Sequence, residues 1–306
     1  MRILVTGGAG FIGSHVAQAY VQAGHEVAVF DNLSSGREEY VPAGVKLYSG
    51  DITDLAGVES VLSEFKPEVI NHHAAHIQVG YSVENPQFDA QNNILGLLNI
   101  METARKQGGV QKVIMASTGG AMYGDQDIPF RESMEPQPVS PYGISKRSGE
   151  LYLHFYFVQY GISSVVLRYA NVYGPRQNPH GESGVIAIFM EKLLKGETPR
   201  INGTGENTRD YVYVEDVARA NLAALAYQEQ GIFNIGTGVE TSSVQVARKV
   251  YAALGVSGEA EHGEARPGEQ KRSALDYSLA QEKLSWQPTV MLDEGVVLTT
   301  LAVRHK

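Results

Sequence analysis

The 306-residue chain has no cysteine, which excludes disulfide frameworks, zinc–thiolate sites and thiol nucleophiles. That absence fits a reducing compartment, and a cytoplasmic location is the expectation. No apolar run approaches the ~18–20 residues of a membrane span. Only Arg2 precedes the short stretch Ile3-Leu4-Val5, too little for a secretory signal, so the sequons at Asn32 and Asn202 read as chance matches. Basic charge is in deficit: 25 Lys plus Arg against 34 Asp plus Glu give a net charge of −9. Such a field repels nucleic acid and anionic membranes, so a phosphate ligand needs a local site that overrides it. Internal repeats and low-complexity segments are also missing.

What remains is a globular composition, 43% hydrophobic and with 33 glycines, long enough for a substantial core. Short β-rich runs alternate with helical stretches, the pattern of a parallel sheet covered on both faces. Strands are expected over 2–6, 26–30, 46–49, 68–71, 112–116 and 164–168, with helices over about 12–23, 54–65, 85–107 and 143–160. The spacing is that of right-handed βαβ units. Beyond about Val172 the chain is richer in Pro and Gly (Gly174-Pro175, Asn178-Pro179, Gly181, Gly184). There we expect helices near 185–195, 214–228 and 241–254, strands near 198–202 and 232–235, and a last helix from near Asp293. The division predicted is a doubly wound domain over 1–172 and a smaller mixed α/β lobe over 173–306. Later segments are left free to add strands to the first sheet.

The glycines are not scattered. Gly7, Gly10 and Gly13 stand in Thr6-Gly7-Gly8-Ala9-Gly10-Phe11-Ile12-Gly13, directly after the first strand and opening a helix. A dinucleotide-binding turn needs this spacing: a tight turn, backbone approach to a pyrophosphate, then close helix–strand packing. The helix N-terminus supplies free N–H groups and a positive dipole end, which holds an anion despite the net charge. Asp31 ends the second strand, 18 residues after Gly13, where a carboxylate accepts from ribose hydroxyls. It also repels a 2′-phosphate, and Asn32 rather than Arg follows it, which favours NAD over NADP; Arg37 is the one residue against. These features predict a Rossmann-type fold. Asp51 follows the third strand in Gly50-Asp51-Ile52; it either accepts from an adenine amino group or caps the helix starting near Asp54.

Tyr142 and Lys146 stand at i and i+4 in Tyr142-Gly143-Ile144-Ser145-Lys146, on one helix face, with Pro141 suited to the first turn and Ser140 to the cap. A free tyrosine titrates near pH ~10. An adjacent ammonium and a cationic nicotinamide both favour the phenolate, which could take a proton from a sugar hydroxyl while carbon gives up hydride.

With these residues in place, the sequence resembles the extended short-chain dehydrogenase/reductase family over nearly its whole length. Within it the likeness is greatest to enzymes that epimerise a UDP-hexose at C4, interconverting UDP-glucose and UDP-galactose. The matching stretches are residues 5–15, 30–34, 50–52, Tyr123-Gly124, 142–146, Leu167-Arg168-Tyr169 with Asn171, 209–214 with Asp216, 233–236 and 266–269. The resemblance implies tightly bound NAD, contacted by Phe11, Ile12, Asn32, Ile52, Ala74, Asn93 and Tyr169 besides the residues above. It makes Tyr142 the base and lets Lys146 also hold the nicotinamide ribose. Arg209 and Arg266 would clamp the diphosphate of the UDP-sugar, Asn171 would contact the diphosphate or sugar, and Glu269 the uridine ribose. Its members usually carry Ser or Thr four residues before the Tyr of the Tyr-Gly pair; here that position is Gly119, so Thr118, or else Ser117, must serve the substrate hydroxyl. Gly119-Gly120 also lacks the acid that sister dehydratases and decarboxylases carry there. Ser273 falls where some homologues place a bulky residue beside the sugar, which would leave room for an N-acetyl group. In the family resembled, the helices near 85–107 and 143–160 pair across a dimer as a four-helix bundle, so the resemblance implies a homodimer.

His72, His73 and His76 cluster without a nearby carboxylate and are expected beside the cofactor, with no metal. The run 151–160 (LYLHFYFVQY) reads as core plus a subunit interface, not a base-stacking platform. Two further functions compete: an epimerase or reductase of another nucleotide sugar (UDP-N-acetylhexosamine, UDP-uronate or dTDP-hexose), and a non-catalytic NAD-binding regulator.

Overall fold

The computed structural model describes residues 1–179, 184–265 and 270–304. Its strands are β1 Arg2–Thr6, β2 Glu26–Asp31, β3 Lys46–Ser49, β4 Val69–His72, β5 Lys112–Thr118, β6 Ser163–Tyr169, β7 Asn171–Tyr173, β8 Arg200–Asn202, β9 Thr208–Tyr213, β10 Gly231–Ile235, β11 Glu240–Ser242 and β12 Glu261–Gly263. The helices are α1 Phe11–Gln22, α2 Leu55–Phe65, α3 Val79–Glu84, α4 Pro86–Ala90, α5 Gly96–Gln107, α6 Pro141–Tyr160, α7 Val185–Leu194, α8 Val214–Ala226, α9 Ser243–Leu254, α10 Ser278–Leu284 and α11 Leu292–Arg304.

Seven strands form one sheet in the order β10-β6-β5-β4-β1-β2-β3, every pairing parallel. The continuous apolar runs of β1, β4 and β5 suit strands buried on both faces. One core layer packs α1 and α8 under the sheet; the other packs α2, α5 and α6. The strand order reverses between β1 and β4, and the crevice beyond their carboxyl ends is where an open α/β sheet binds ligands.

All six strands expected up to residue 168 are present, and β10 joins them: Phe233 stands in register with Leu167. Chain beyond residue 172 thus contributes both a sheet strand and α8, which packs on α1. A three-stranded sheet (β11-β9-β7) and a two-stranded one (β12-β8) enclose a third core of Tyr173, Phe189, Tyr211, Val246 and Val296.

The helix expected over about 85–107 runs from Pro86 to Gln107 but changes pitch. Residues Gln91–Leu95 form a π turn between α4 and α5, a local widening common at functional sites. α6 begins as expected, with Ser140 Oγ accepting from Gly143 N–H (3.2 Å) and Pro141 at the first position, and it ends at Gly161 in the left-handed region. No helix among the described residues is long and apolar enough to cross a membrane.

Candidate active site

The glycine loop lies at the β1–β4 switch. Gly7 has φ +70°, and a Cβ there would stand 2.6 Å from the Ala74 amide nitrogen; a Cβ on Gly13 would overlap the Gly7 carbonyl. α1 therefore starts against the loop, with Gly10 as its cap, no side-chain cap bond and no acidic residue in its first turn. Its N-terminal N–H groups are left for an anion. Asp31 is buried, and each carboxylate oxygen accepts one backbone N–H, from Ala9 (3.0 Å) and from Leu33 (2.8 Å), which leaves lone pairs for hydroxyls. Arg37 is exposed and paired with Glu39 (3.3 Å), while its backbone N–H donates to the Ala9 carbonyl (2.9 Å).

Of the two alternatives for Asp51, the helix cap falls to another residue. Asp54 caps α2, accepting from Ala56 N–H (3.2 Å). Asp51 instead folds its own turn, accepting from Thr53 N–H (2.8 Å) and Oγ1 (2.7 Å) and from Asn32 Nδ2 (2.7 Å). Ile52 is buried against Gly96. Asn93 is buried on the π turn, and both its N–H bonds are used, on the His76 carbonyl (2.9 Å) and on Asp89 (2.9 Å), while its oxygen accepts from His76 N–H (2.8 Å). It braces the loop after β4.

That loop connects the glycine turn to the sheet's other half. Thr6 Oγ1 lies 2.8 Å from His72 Nδ1 and accepts from Ala74 N–H (3.3 Å). The His73 ring stacks on Tyr169, with Nε2 3.2 Å from the phenol oxygen, which also accepts from Asn221 Nδ2 (2.8 Å). Burial first, then the Lys146 charge, pushes His72 and His73 down to about 3, so both are neutral. Among the described residues no group of His, Cys, Asp or Glu is placed to hold a metal.

Lys146 is buried and donates to the Ala116 carbonyl (3.0 Å), with its Nζ 5.9 Å from the centre of the Tyr142 ring. Burial pushes it down to about 8, against the raising influence of Asp89 and Glu150. Tyr142 is raised, not lowered, in the protein alone. Burial, followed by the Asp89 charge, raises its phenol above the ordinary range, and the Lys146 ammonium does not reverse this in the protein by itself. The expectation counted on two cations, and only the Lys146 ammonium belongs to the protein.

The two candidate hydroxyls separate clearly. Ser117 is buried and donates to Glu150 Oε1 (2.8 Å), inside an ion-pair network with Arg168. Thr118 is half-buried at the end of β5; its oxygen accepts from Ala121 N–H (3.1 Å), leaving its own hydrogen to be donated. Asn171 lies against the glycine pair that follows: a Cβ on Gly120 would stand 3.7 Å from Asn171 Oδ1. The missing side chain at 119 has a physical reason. Leu275 fills that space, and a Cβ on Gly119 would overlap its Cδ1. Asp210 fixes the Leu275 segment by accepting from Leu275 N–H (3.1 Å) as well as from Thr237 and Gly238. Gly119→Ser should therefore destabilise the protein by about 1–3 kcal/mol through overpacking, and Leu275→Ala in the same chain should recover part of the loss; thermal unfolding of the three variants measures it.

Arg209 is half-buried on β9 and donates to the Thr208 carbonyl (2.8 Å). Arg266 and Glu269 lie outside the described residues. Ser273 is buried. Sequence reasoning missed Asp89 and Ser145, whose side chains meet at 2.5 Å beside Tyr142 and Lys146. The spacing of Asp89 and Asn93, one helical turn apart on a segment facing α6, was the available signal.

The residues fit a dinucleotide. The cradle admits no Cβ, the first turn of α1 offers free N–H groups, Asp31 keeps lone pairs for a ribose, and His73 Nδ1 is buried without a hydrogen-bond partner. The sequence matches the NAD dependent epimerase/dehydratase family over residues 3–236. It is 45% identical to the UDP-glucose 4-epimerase of Mycolicibacterium smegmatis, covering 100% of this chain and 99% of that one. Two solved structures are similar throughout. A UDP-glucose 4-epimerase with UDP-glucose from Thermotoga maritima is 47% identical (TM-score 0.97, 100% of this chain and 99% of that one). The Thermus thermophilus enzyme of that name, in complex with NAD, is 45% identical (TM-score 0.94, 99% of each chain). With the glycine cradle, the Asp31 carboxylate and the Tyr142–Lys146 pair all at one crevice, the chain belongs to the NAD dependent epimerase/dehydratase family.

Proposed function

We propose that the protein interconverts UDP-glucose and UDP-galactose by inverting C4 of the hexose. The observation that carries this reading is the convergence of Thr118, Tyr142 and Lys146 on the crevice beside the glycine cradle, in a chain this close to enzymes of that activity. Gly7, Gly10, Phe11, Ile12 and Gly13 hold the NAD pyrophosphate through backbone N–H groups, and Asp31 holds its adenosine ribose. Lys146, anchored on Ala116, keeps two N–H bonds for the second ribose. Thr118 and Tyr142 take the sugar 4-hydroxyl between them; Tyr142 accepts its proton and returns one when the alcohol re-forms. Bound NAD supplies reversible hydride acceptance from C4. The cation it brings is the charge that Tyr142 lacks in the protein alone. Asn171 and Arg209, with Arg266 and Glu269, bind the nucleotide. On this reading residues 1–172 with β10 and α8 serve the cofactor, and the rest of 173–306 serves the nucleotide sugar.

The test is to add UDP-galactose to purified protein without added cofactor and follow UDP-glucose. Turnover with no net change in oxidation state is expected. Inactivity on UDP-galactose with turnover of UDP-N-acetylglucosamine, a UDP-uronate or a dTDP-hexose would transfer the assignment to that sugar. A protein inactive on all of them would be a regulator.

We also infer a cytoplasmic homodimer. Tyr81, Phe88 and Leu95 are exposed on segments that pack against α6, and Leu151, Phe155 and Val158 are exposed on α6 itself. Light scattering should give twice the chain mass, and Phe155→Asp should give the single-chain mass; a monomeric wild type overturns the inference.

A further inference from the structure

Pro141 opens α6 and has no N–H, so Tyr142 and Gly143 carry the first orphan donors of that helix. Ser140, the cap, serves only the second of them. Its Oγ accepts from Gly143 N–H (3.2 Å), and its carbonyl accepts from Ile144 N–H (2.9 Å). The Tyr142 N–H is served from elsewhere in the fold: it donates to Ser82 Oγ (3.2 Å), 60 residues earlier on α3. Ser82 is fully buried, and its own hydrogen is committed to the Val79 carbonyl (2.6 Å), so an oxygen lone pair is what it offers α6. α3 is itself braced. The rings of His76, Tyr81 and Phe88 pack on one another with centroids 5.0, 5.2 and 5.5 Å apart, and α3 and α4 both pack against α6.

The groups on the first two turns of α6 are thus held by separate ties. Lys146 Nζ is tied to the Ala116 carbonyl on β5, Ser145 to Asp89 on α4, and Tyr142, through its backbone, to Ser82 on α3. Of these three, only the Ser82 bond acts on the residue that bears the phenol. A buried N–H left without an acceptor is costly, so a helix start that loses one unwinds or turns until it finds another. The side chain moves with its Cα, and a shift of about 1 Å at a reacting group is worth up to ~10²-fold in rate.

We propose that Ser82 is a positioning residue for the reaction: by accepting the Tyr142 N–H it fixes the first turn of α6 and so the place from which the phenol reaches the sugar hydroxyl. This rests on the reading of Tyr142 as the proton acceptor. The bond is a helix cap supplied in trans, from a segment that follows β4 beside the glycine cradle. It sets where Tyr142 stands, and the substrate-holding residues of the lobe stand apart from it.

Ser82→Ala should therefore lower kcat for UDP-galactose by about 10-fold to 100-fold with KM within about twofold of wild type. Ser242→Ala is the control. It removes the capping box of α9, where Ser242 Oγ accepts from Gln245 N–H (3.2 Å), so it should lower the melting temperature by about 2–4 °C and leave kcat unchanged. A second readout needs no substrate. In full-length protein labelled with 15N,13C-tyrosine, the Tyr142 amide and ring signals are assigned by their loss in Tyr142→Phe. In Ser82→Ala the ring signal should shift and the amide should exchange about 10-fold faster, the equivalent of one hydrogen bond, while Ser242→Ala leaves both in place. Should Ser82→Ala not fold, Ser82→Cys, which puts a weak sulfur acceptor in nearly the same volume, is read in the same way. An unmoved Tyr142 ring signal overturns the proposal, as does an unmoved kcat or an equal loss of kcat in Ser242→Ala. A wild type inactive on every sugar nucleotide would overturn the functional reading, and the ring signal would then decide by itself whether Ser82 positions Tyr142.

Discussion

Tyr142→Phe should lower kcat for UDP-galactose by about 10³-fold while the dinucleotide still copurifies. The substitution removes one oxygen and leaves the ring, the cap at Ser140 and the Lys146–Ala116 bond in place. Positioned proton transfer is worth about 10²–10⁴ in rate, and no other group at the crevice can replace it: His72 and His73 are neutral and buried, and Ser117 is committed to Glu150. Thr118→Ala should cost about 10-fold to 100-fold, because its hydroxyl helps orient the substrate and Tyr142 still takes the proton. Ser117→Ala should leave kcat nearly unchanged and lower the melting temperature instead. Steady-state kinetics and dinucleotide release on denaturation check all three; retained turnover in Tyr142→Phe would remove the proposed base.

Glu150→Ala should destabilise the protein by about 3–5 kcal/mol, because it strands the buried Arg168 guanidinium without its carboxylate. Arg168 donates to both oxygens of Glu150 (2.9 and 2.6 Å) and to the Tyr123 phenol (2.8 Å), which donates in turn to Asn234 (2.8 Å). The network joins α6, β6, the loop before α6 and β10, the strand that arrives from beyond residue 230. At about 2–4 °C per kcal/mol for chains approaching this size, the melting temperature should fall by about 10 °C, measurable by calorimetry. Glu150→Met with Arg168→Met should lose much less than the sum of the single changes, since no charge is then stranded. Additive losses would show that the pair is not coupled.

Lys146 gives the pH dependence a defined sign. Its proton is lost near pH 8 in the folded protein and near ~10.4 in the unfolded chain. Between those values the unfolded state binds more protons at this site, so its contribution to stability rises with pH while the cation needed at the crevice disappears. Activity and stability should part above about pH 8.

The sheet was legible because its strands are short apolar runs bounded by turn residues, and each βα unit carries its own periodicity. The glycine cradle was legible for a similar reason. Its demands are local, a left-handed φ at Gly7 and close approach of the helix to the loop at Gly13, and they fall within eight residues of sequence. β9 and β11 were not read as strands. Their sheet is closed by β7, some forty residues earlier than β9, and no local pattern announces such a partner. The cap alternative at Asp51 fell to Asp54 because an Asx turn and a helix cap draw on the same residue types at nearly the same spacing.

The sequence by itself determined the parts whose chemistry is local: a dinucleotide turn, a carboxylate ending the second strand, a tyrosine and lysine one helical turn apart. Tertiary structure alone decided how those parts are charged and completed. It places Asp89 against Ser145, allots Ser117 to an ion pair and leaves Thr118 to donate, and fills the space beside Gly119 with a leucine 156 residues further on. The reason is physical. Spacing along one element fixes which side chains share a face, whereas burial and the nearness of other charges depend on which elements meet across the crevice.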